Sequence, residues 1–312
     1  MPLTSSIIIS THDRPESLAR AVDCILAANR RPEELIIVSD GADIDARLGD
    51  RTRAAGVSFR SALQPQPSLA ASRNRGIELS TGDVLLLLDD DVVLPEDYLE
   101  NLMKLYQADA DGVVEVVGGR LIDAADRRPA RRVWNFLLGA AGQGRWWPRR
   151  RRSTYVRLPP PLRGKLHPTA RLPGGLISIR RVVAADVKFD ASLEGYSYGE
   201  DLDFSFRAGR GHAVFAAPAL SARHETAAQG RPDMAARGRM YVANMMHVAK
   251  RATEGGAGAW LLLAYDFAGM MILYGLWALA ARRIGHFRFA RGMAGELRRR
   301  ACGALRGFLC GY

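Results

Sequence analysis

Continuous apolar runs alternate with helical spacings through the first 126 residues. Ser6–Ser10 (SIIIS) is a short apolar run; Pro15 stands where a helix should begin, and Leu18, Val22, Ile25 and Leu26 follow at helical spacing. Leu35–Val38 (LIIV) is a second run and Val57–Phe59 a weaker third. Ser68–Leu79 reads as a helix, Val84–Leu88 (VLLLL) as a central strand and Pro95–Tyr106 as another helix. Strands that are apolar throughout are buried on both faces. The pattern therefore predicts an α/β fold, a mostly parallel central sheet with helices on both faces. Ligands of such sheets gather at the carboxyl ends of the strands.

Those ends are polar here. Thr11, His12, Asp13 and Arg14 follow the first strand, Ser39, Asp40 and Gly41 the second, and Asp89, Asp90 and Asp91 the VLLLL strand. Two like charges about 4 Å apart repel by about 4 kcal/mol at an effective dielectric near 20, so three adjacent carboxylates call for a cation. Oxygen ligands suit Mg²⁺ or Mn²⁺, which bridge carboxylates to substrate phosphates. A solvated acidic turn before the helix at Pro95 is the plainer reading. The buried strand before it and Asp40 on another strand end tip the balance toward a ligand site. No Walker A loop or G-x-G-x-x-G follows any strand, so the common kinase, ATPase and dinucleotide cradles are missing. Arg73, Asn74 and Arg75, on a predicted helix, offer positive charge to a diphosphate or else form a solvated helix face.

A second block carries Pro173-Gly174-Gly175, the apolar run Leu176–Ile179, and Gly199-Glu200-Asp201-Leu202-Asp203-Phe204 with Arg207 on the same predicted helix. Acids in a first helical turn are good helix starters; the functional alternative is a carboxylate base that deprotonates a hydroxyl acceptor. His224, after the run Ala213–Ala217 and a turn at Pro218, is a candidate metal ligand or a structural histidine. Gly195-Tyr196-Ser197-Tyr198-Gly199 matches the G-x-S-x-G of serine hydrolases, but a nucleophile elbow needs a strand before it, and Asp190–Glu194 does not read as one.

Charge changes the picture by its placement. The 312 residues hold 44 Lys+Arg against 33 Asp+Glu, a net charge of +11, which points to an anionic partner. From Arg127 to Arg171 there are thirteen Lys/Arg and no acid, including the run Arg149–Arg152; from Arg282 onward there are eight Arg and one acid, Glu296. The chain thus reads as a catalytic region, 1–228, with a first half (1–126), a basic insertion (127–171) and a second half (172–228), followed by an apolar and basic helical tail, 229–312. Cys24, Cys302 and Cys310 are scattered, which suits a reducing compartment and offers no zinc site. Ile7–Ile9 is too short for a signal peptide's apolar region.

Taken together, SIIISTHDRPESLARAVDCIL, ELIIVSDGA, ASRNRGIELSTGDVLLLLDDDVVLPEDYL and PGGLISIRRVVAADVKFDASLEGYSYGEDLDFSFRAG resemble the family-2 glycosyltransferases of the GT-A fold, in the family's order. The resemblance implies an inverting transfer of a sugar from a nucleotide-sugar donor. Thr11, Asp13 and Asp40 would contact the nucleoside, Arg73 the diphosphate, and Gly174 and Gly175 the bound donor. Asp89, Asp90 and Asp91 match the D-x-D motif that holds the ribose and a divalent metal, with His224 as a late ligand. Glu200-Asp201 matches the E-D motif, whose aspartate is the catalytic base. His12-Asp13 replaces the family's more familiar Tyr-Asn.

Ala259–Ala281 carries a single charge, Asp266, over a length that can cross a bilayer. A single span would export the arginines beyond it, against the positive-inside tendency, so a monotopic or re-entrant tail on the cytoplasmic face of the inner membrane is expected, its arginines on anionic headgroups. A core helix packed on the catalytic region is the alternative. Trp134, Trp146, Trp147 and Tyr155 among the arginines of the insertion suit a lipid interface and a lipid-linked or envelope-glycan acceptor. No nucleic-acid motif accompanies them. The competing readings are a nucleotidyltransferase, which leaves GEDLDF unexplained, and a membrane-surface or nucleic-acid binding protein with an inactive transferase domain.

Overall fold

The computed structural model describes residues 2–123, 129–140, 152–193, 195–225, 233–252, 256–280 and 284–309. Arg149–Arg151, Trp146, Trp147, Arg282, Arg283 and Cys310 lie outside them. The chain divides into two compact units. Residues 1–126, 149–191 and 200–230 form the first, and 127–148, 192–199 and 231–312 the second.

The first unit is built on one sheet. Its strands are β1 (Ser5–Thr11), β2 (Glu34–Ser39), β3 (Ser58–Leu63), β4 (Val84–Asp89), β5 (Val92–Val93), β6 (Val116–Asp123), β7 (His167–Pro168), β8 (Leu176–Arg180) and β9 (Val214–His224). They are ordered β3-β2-β1-β4-β8-β6-β9-β5, with β7 beside β9. The helices, in chain order across both units, are α1 (Pro15–Ala27), α2 (Ala46–Ala54), α3 (Leu69–Leu79), α4 (Tyr98–Gln107), α5 (Pro129–Ala140), α6 (Arg181–Asp186), α7 (Glu200–Gly211), α8 (Met234–Ala252), α9 (Ala257–Ala280) and α10 (Ile284–Leu309). Strands β3, β2, β1 and β4 run parallel, as the uninterrupted apolar character of β2, β1 and β4 predicts, with the polar, largely exposed β3 at the sheet edge, and β8 joins β4 antiparallel.

Alternation along each strand splits the core in two. Ile7, Ile9, Leu35, Ile37, Leu86 and Leu88 face one side, where Leu18, Val22 and Ile25 of α1 and Leu102 of α4 cover them. Ile8, Ile36, Val38, Leu85 and Leu87 face the other, under Ala70 and Ile77 of α3 and Phe204 of α7. Pro15 starts α1, and Ser68 caps α3 by accepting the Ala71 N–H at 3.3 Å. Helix α3 lies close on the sheet because Gly76 has no Cβ; one would sit 2.2 Å from Cγ2 of Ile8.

Three features depart from the expectations. Strand β9 does not turn at Pro218 but continues to His224; its pairing with β6 slips between Gly118 and Arg120, and this bulge absorbs the proline's missing N–H. Strand β6 and helix α2 were not anticipated, since α2 buries only Leu48, Gly49 and Thr52 and has no apolar stripe. The basic insertion is also not one loop. Its second half belongs to the first unit, where Leu162 and Leu166 are buried, and its first half forms α5 in the second unit.

In the second unit α8 and α10 cross at backbone contact. A Cβ on Gly238 would lie 2.1 Å from the Phe289 carbonyl oxygen, and one on Gly292 2.1 Å from that of Ala235. Helix α9 packs on them, and its one charge, Asp266, is buried and accepts hydrogen bonds from the Tyr241 hydroxyl at 3.0 and 3.1 Å. Trp134 of α5 meets Tyr274 and Trp277 of α9 with ring centres 5.0 Å away. Ala257–Leu279 is long and apolar enough to cross a membrane, and only 22% of its most apolar stretch is buried, which does not fit a core helix.

Candidate active site

The polar ends of β1, β2 and β4 meet at the carboxyl edge of the sheet. Asp13 adopts φ of 51°, a left-handed conformation uncommon outside glycine, and its Oδ1 accepts the Ala42 N–H at 2.7 Å. Gly41 makes the approach possible, since a Cβ there would stand 2.3 Å from that oxygen. Asp40 is held from both sides: Nδ1 of His12 lies 2.8 Å from Oδ1, and the Ser68 N–H donates to Oδ2 at 2.8 Å. Both carboxylate oxygens of Asp40 therefore organise the loops. Beside them opens a cavity of about 430 Å³ lined by Thr11, Asp13, Arg14, Ser39, Asp43 and Leu48 among others.

The aspartates of the β4 end are paired with basic side chains, and Arg14 reaches two of them, lying also 3.6 Å from Oδ2 of Asp91. Arg73, 2% exposed, donates from Nη2 to Oδ1 of Asp89 at 2.8 Å, and Arg14 from Nη1 to Oδ1 of Asp90 at 3.0 Å. Nε2 of His224 lies 3.1 Å from Oδ1 of Asp91. The Thr11 hydroxyl adds a 2.7 Å bond to Asp90. Burial nonetheless pushes the Asp90 carboxyl up to about 6, against the pull of Thr11 and Arg14. The bond to Asp91 raises the His224 imidazole. The like-charge repulsion expected for three adjacent carboxylates is thus relieved by two arginines, with a hydrogen bond from His224 at Asp91. From the sequence, Arg14 is only one of the polar residues after the first strand and takes no role, although a charged residue just before a helix-starting proline, beside a strand ending in an Asp triplet, is a signal that could have assigned one.

Arg73 ties the two halves of the site together. Its Nη1 donates to Oε1 of Glu200 at 2.6 Å and its Nη2 to the Gly174 carbonyl at 2.6 Å as well as to Asp89. The guanidinium centre stands 5.2 Å from the Phe189 ring, which stacks on Phe204 at 4.4 Å. A guanidinium enclosed by carboxylates holds its proton more firmly than in water, despite the cost of burial. Burial drives the Glu200 carboxyl upward, and Arg73 pulls it back. Glu200 thus points inward as an anchor, while Asp201, the next residue of α7 and partly exposed, accepts the N–H of its neighbour Leu202 at 2.9 Å.

The two glycines before β8 are a matter of space. A Cβ on Gly175 would lie 2.8 Å from Oδ2 of Asp89, and one on Gly174 3.2 Å from Oε1 of Glu200 and from Cβ of Asp201. The structure thus gathers Asp89, Arg73, Gly174, Gly175, Glu200 and Asp201 into one constellation, and Thr11, Asp90, Arg14, Asp91 and His224 into a second beside it. Among the described residues no three His, Cys, Asp or Glu side chains converge closely enough to hold a metal ion. At the β4 end Asp91 and His224 face each other at 3.1 Å, a carboxylate and an imidazole that both can ligate a divalent ion. Around Ser197, residues 191–193 and 195–199 form turns, and among the described residues no strand leads into the serine as a nucleophile elbow requires; His224 pairs with Asp91.

Residues 6–172 match the family described as "Glycosyl transferase family 2". The glucosyl-dolichyl phosphate glucuronosyltransferase of Haloferax volcanii is 32% identical over 128 residues, 40% of either chain. The amylovoran biosynthesis glycosyltransferase AmsB of Erwinia amylovora is 29% identical over 109 residues, 34% of this chain and 36% of its own. These alignments span well under half the length of either relative. The mannosyltransferase PcManGT of Pyrobaculum calidifontis, solved in complex with GDP-Man and Mn²⁺, superposes with a TM-score of 0.56 over 95% of this chain and 88% of its own, at 15% identity. That likeness shows a shared GT-A fold.

Proposed function

This chain belongs to glycosyl transferase family 2, and from that premise we propose that it transfers a sugar from a nucleotide-sugar to an acceptor hydroxyl, with inversion. The observation that carries the reading is the Asp89–Arg73–Glu200 triad. It fixes the strand end that would face the donor to the helix start that would face the acceptor, with Gly174-Gly175 cleared of side chains between them.

In this reading the nucleoside lies in the cavity of about 430 Å³ at the ends of β1 and β2, walled by Thr11 and Asp13. Asp40, with both oxygens engaged, shapes that wall through His12 and Ser68. Asp90, with Thr11 and Arg14, orients the ribose side of the donor. Asp89, Asp91 and His224, which do not converge in this structure, are the residues that would have to draw together to hold a divalent ion, Mn²⁺ or Mg²⁺. Such an ion supplies positive charge to the departing diphosphate. Arg73 keeps Asp89 and Glu200 in place and adds its field to the same region. Asp201, partly exposed where Glu200 is buried, removes the acceptor hydroxyl's proton as that oxygen attacks the anomeric carbon and the C–O bond to the diphosphate breaks. A single displacement of this kind inverts the anomeric configuration.

The Haloferax relative is named for a lipid-phosphate-linked sugar and the Erwinia relative for polysaccharide biosynthesis. Both support a lipid-linked or envelope-glycan acceptor here, and the exposed apolar helix α9 supports a place at a membrane, on the cytoplasmic face by the positive-inside tendency of its flanking arginines. Calorimetric titration with UDP, GDP and dTDP, with and without Mn²⁺, tests the donor half. Metal-dependent binding of at least one nucleotide is expected; no binding to any of them would favour a non-catalytic surface-binding protein instead.

A further inference from the structure

The second unit holds a cleft that the transfer chemistry leaves unused. Between α8 and α10 is a cavity of about 570 Å³ whose walls include Arg239, Arg288, Arg291, Gly292 and Asp233. The backbone contacts at Gly238 and Gly292 are what bring arginines of two helices onto one cleft. All three arginine side chains are exposed, and among the described residues none has a hydrogen-bond or ion-pair partner within 4.0 Å. The carboxylate in the wall is already committed: Oδ1 of Asp233 accepts the N–H groups of Ala235 and Ala236 at 2.7 and 2.9 Å. Those bonds, with Arg239 and Arg288 farther off, hold its carboxyl below the ordinary range. One carboxylate against three guanidinium groups leaves a surplus of positive charge facing solvent.

The surroundings narrow the class of anion. On α10, Ile284, Phe287, Arg288 and Arg291 follow one face, so exposed apolar side chains give way to guanidinium groups over about 10 Å of helix. On α9, Leu261, Tyr265, Ile272, Leu276 and Leu279 form one exposed apolar stripe, with Leu279 79% exposed. Exposed Val133 and Phe136 of α5 extend the apolar surface of the same unit. On α10 the exposed Ile284 and Phe287 stand directly beside unpaired arginines, an arrangement complementary to an amphiphile with an anionic head, and the stripe on α9 is further apolar surface of the same unit. A soluble anion would need the arginines alone.

We propose that the α8–α10 cleft binds the phosphate group of a membrane lipid, whose hydrocarbon chains begin beside the exposed Ile284 and Phe287 of α10. Arg288 and Arg291 approach the phosphate oxygens from one helix and Arg239 from the other, by charge-assisted hydrogen bonds. The inference stands apart from the transfer chemistry. Its test reads binding without any donor, so its failure would leave the proposed activity untouched.

The test is flotation of the full chain with vesicles of phosphatidylcholine, alone or with one fifth phosphatidylglycerol. Wild type is expected to bind the anionic vesicles, and the triple variant Arg239→Gln, Arg288→Gln, Arg291→Gln to bind them roughly 100-fold more weakly. A control that removes equal charge from exposed arginines of the first unit, Arg53→Gln, Arg75→Gln and Arg163→Gln, should stay within a few-fold of wild type. The single variants Arg288→Gln and Arg291→Gln give the same readout, about five-fold each, if the triple variant fails to fold. Equal losses in the triple variant and the control would reduce the effect to net charge and overturn the site. So would equal binding to neutral vesicles, or release by inorganic phosphate at matched ionic strength, which would assign the cleft to a free anion.

Discussion

A guanidinium buried between two carboxylates cannot be removed without stranding both. Arg73→Gln leaves Asp89 and Glu200 uncompensated in the interior and is expected to destabilise the first unit by about 3–5 kcal/mol, read by chemical denaturation. Arg73→Lys keeps the charge but not the fork, so it should recover part of that loss. Glu34 gives a prediction with a pH dependence. Burial opposes its ionisation, yet hydrogen bonds from Ser6 and from the Thr81 hydroxyl and N–H outweigh that and hold the carboxyl below its ordinary value. A carboxylate lowered on folding contributes stability above its unfolded pKa of about 4.3 and loses it as pH falls through the folded value. Glu34→Gln should therefore cost about 1–3 kcal/mol at pH 7. The gap between variant and wild type should close in acid, which denaturation midpoints across pH 7 to 3 would show. Roles at this scale were only partly legible. Carboxylate chemistry at the β4 end could be read from three aspartates after five apolar residues. That Glu200 faces inward and Asp201 outward could not, because adjacent positions on a helix start are separated only by what packs against them.

Between elements, the glycines set the spacing. Gly175→Ala places a Cβ against the Asp89 carboxylate, and Asp89 must move because the colliding group is its own side chain. The variant should keep its fold and lose nucleotide affinity by about tenfold or more in calorimetry, about 1.4 kcal/mol. Gly292→Ala collides with backbone instead, the Ala235 carbonyl, so α8 and α10 must separate. A loss of about 1–3 kcal/mol in the thermal stability of the second unit is expected. The parallel strands and the helices α1, α3 and α4 were legible, because continuous apolar runs and helical spacing record burial on two faces and on one. Helix α2 was hidden by its polar surface, and β6 by its glycines Gly118 and Gly119. The extent of β9 was hidden by Pro218, whose break in pairing a bulge accommodates. These elements take their form from neighbours distant in sequence, which local propensity does not encode.

Over the whole molecule, the net charge of +11 is the sum of unlike parts. The segments 127–171 and 282–312 carry +13 and +7, which leaves the rest of the chain mildly acidic, with its carboxylates clustered at the strand ends. In the proposed division of labour, the sheet with its carboxylates handles the donor, and the basic and apolar helices meet the membrane. Membrane fractions washed with carbonate should therefore retain the chain, and Leu261→Asn, Ile272→Asn, Leu276→Asn together should release most of it, since all three side chains are exposed. The central claim is transfer with Asp201 as base. Its most direct test is nucleoside-diphosphate release from a panel of nucleotide-sugars, with Mn²⁺ and acceptor-bearing membranes, by wild type and by Asp201→Asn. The account predicts turnover of at least one donor by wild type and a drop of about 10²–10⁴-fold in the variant with donor binding retained. Turnover by Asp201→Asn within a few-fold of wild type, or no donor consumed by either, would contradict it.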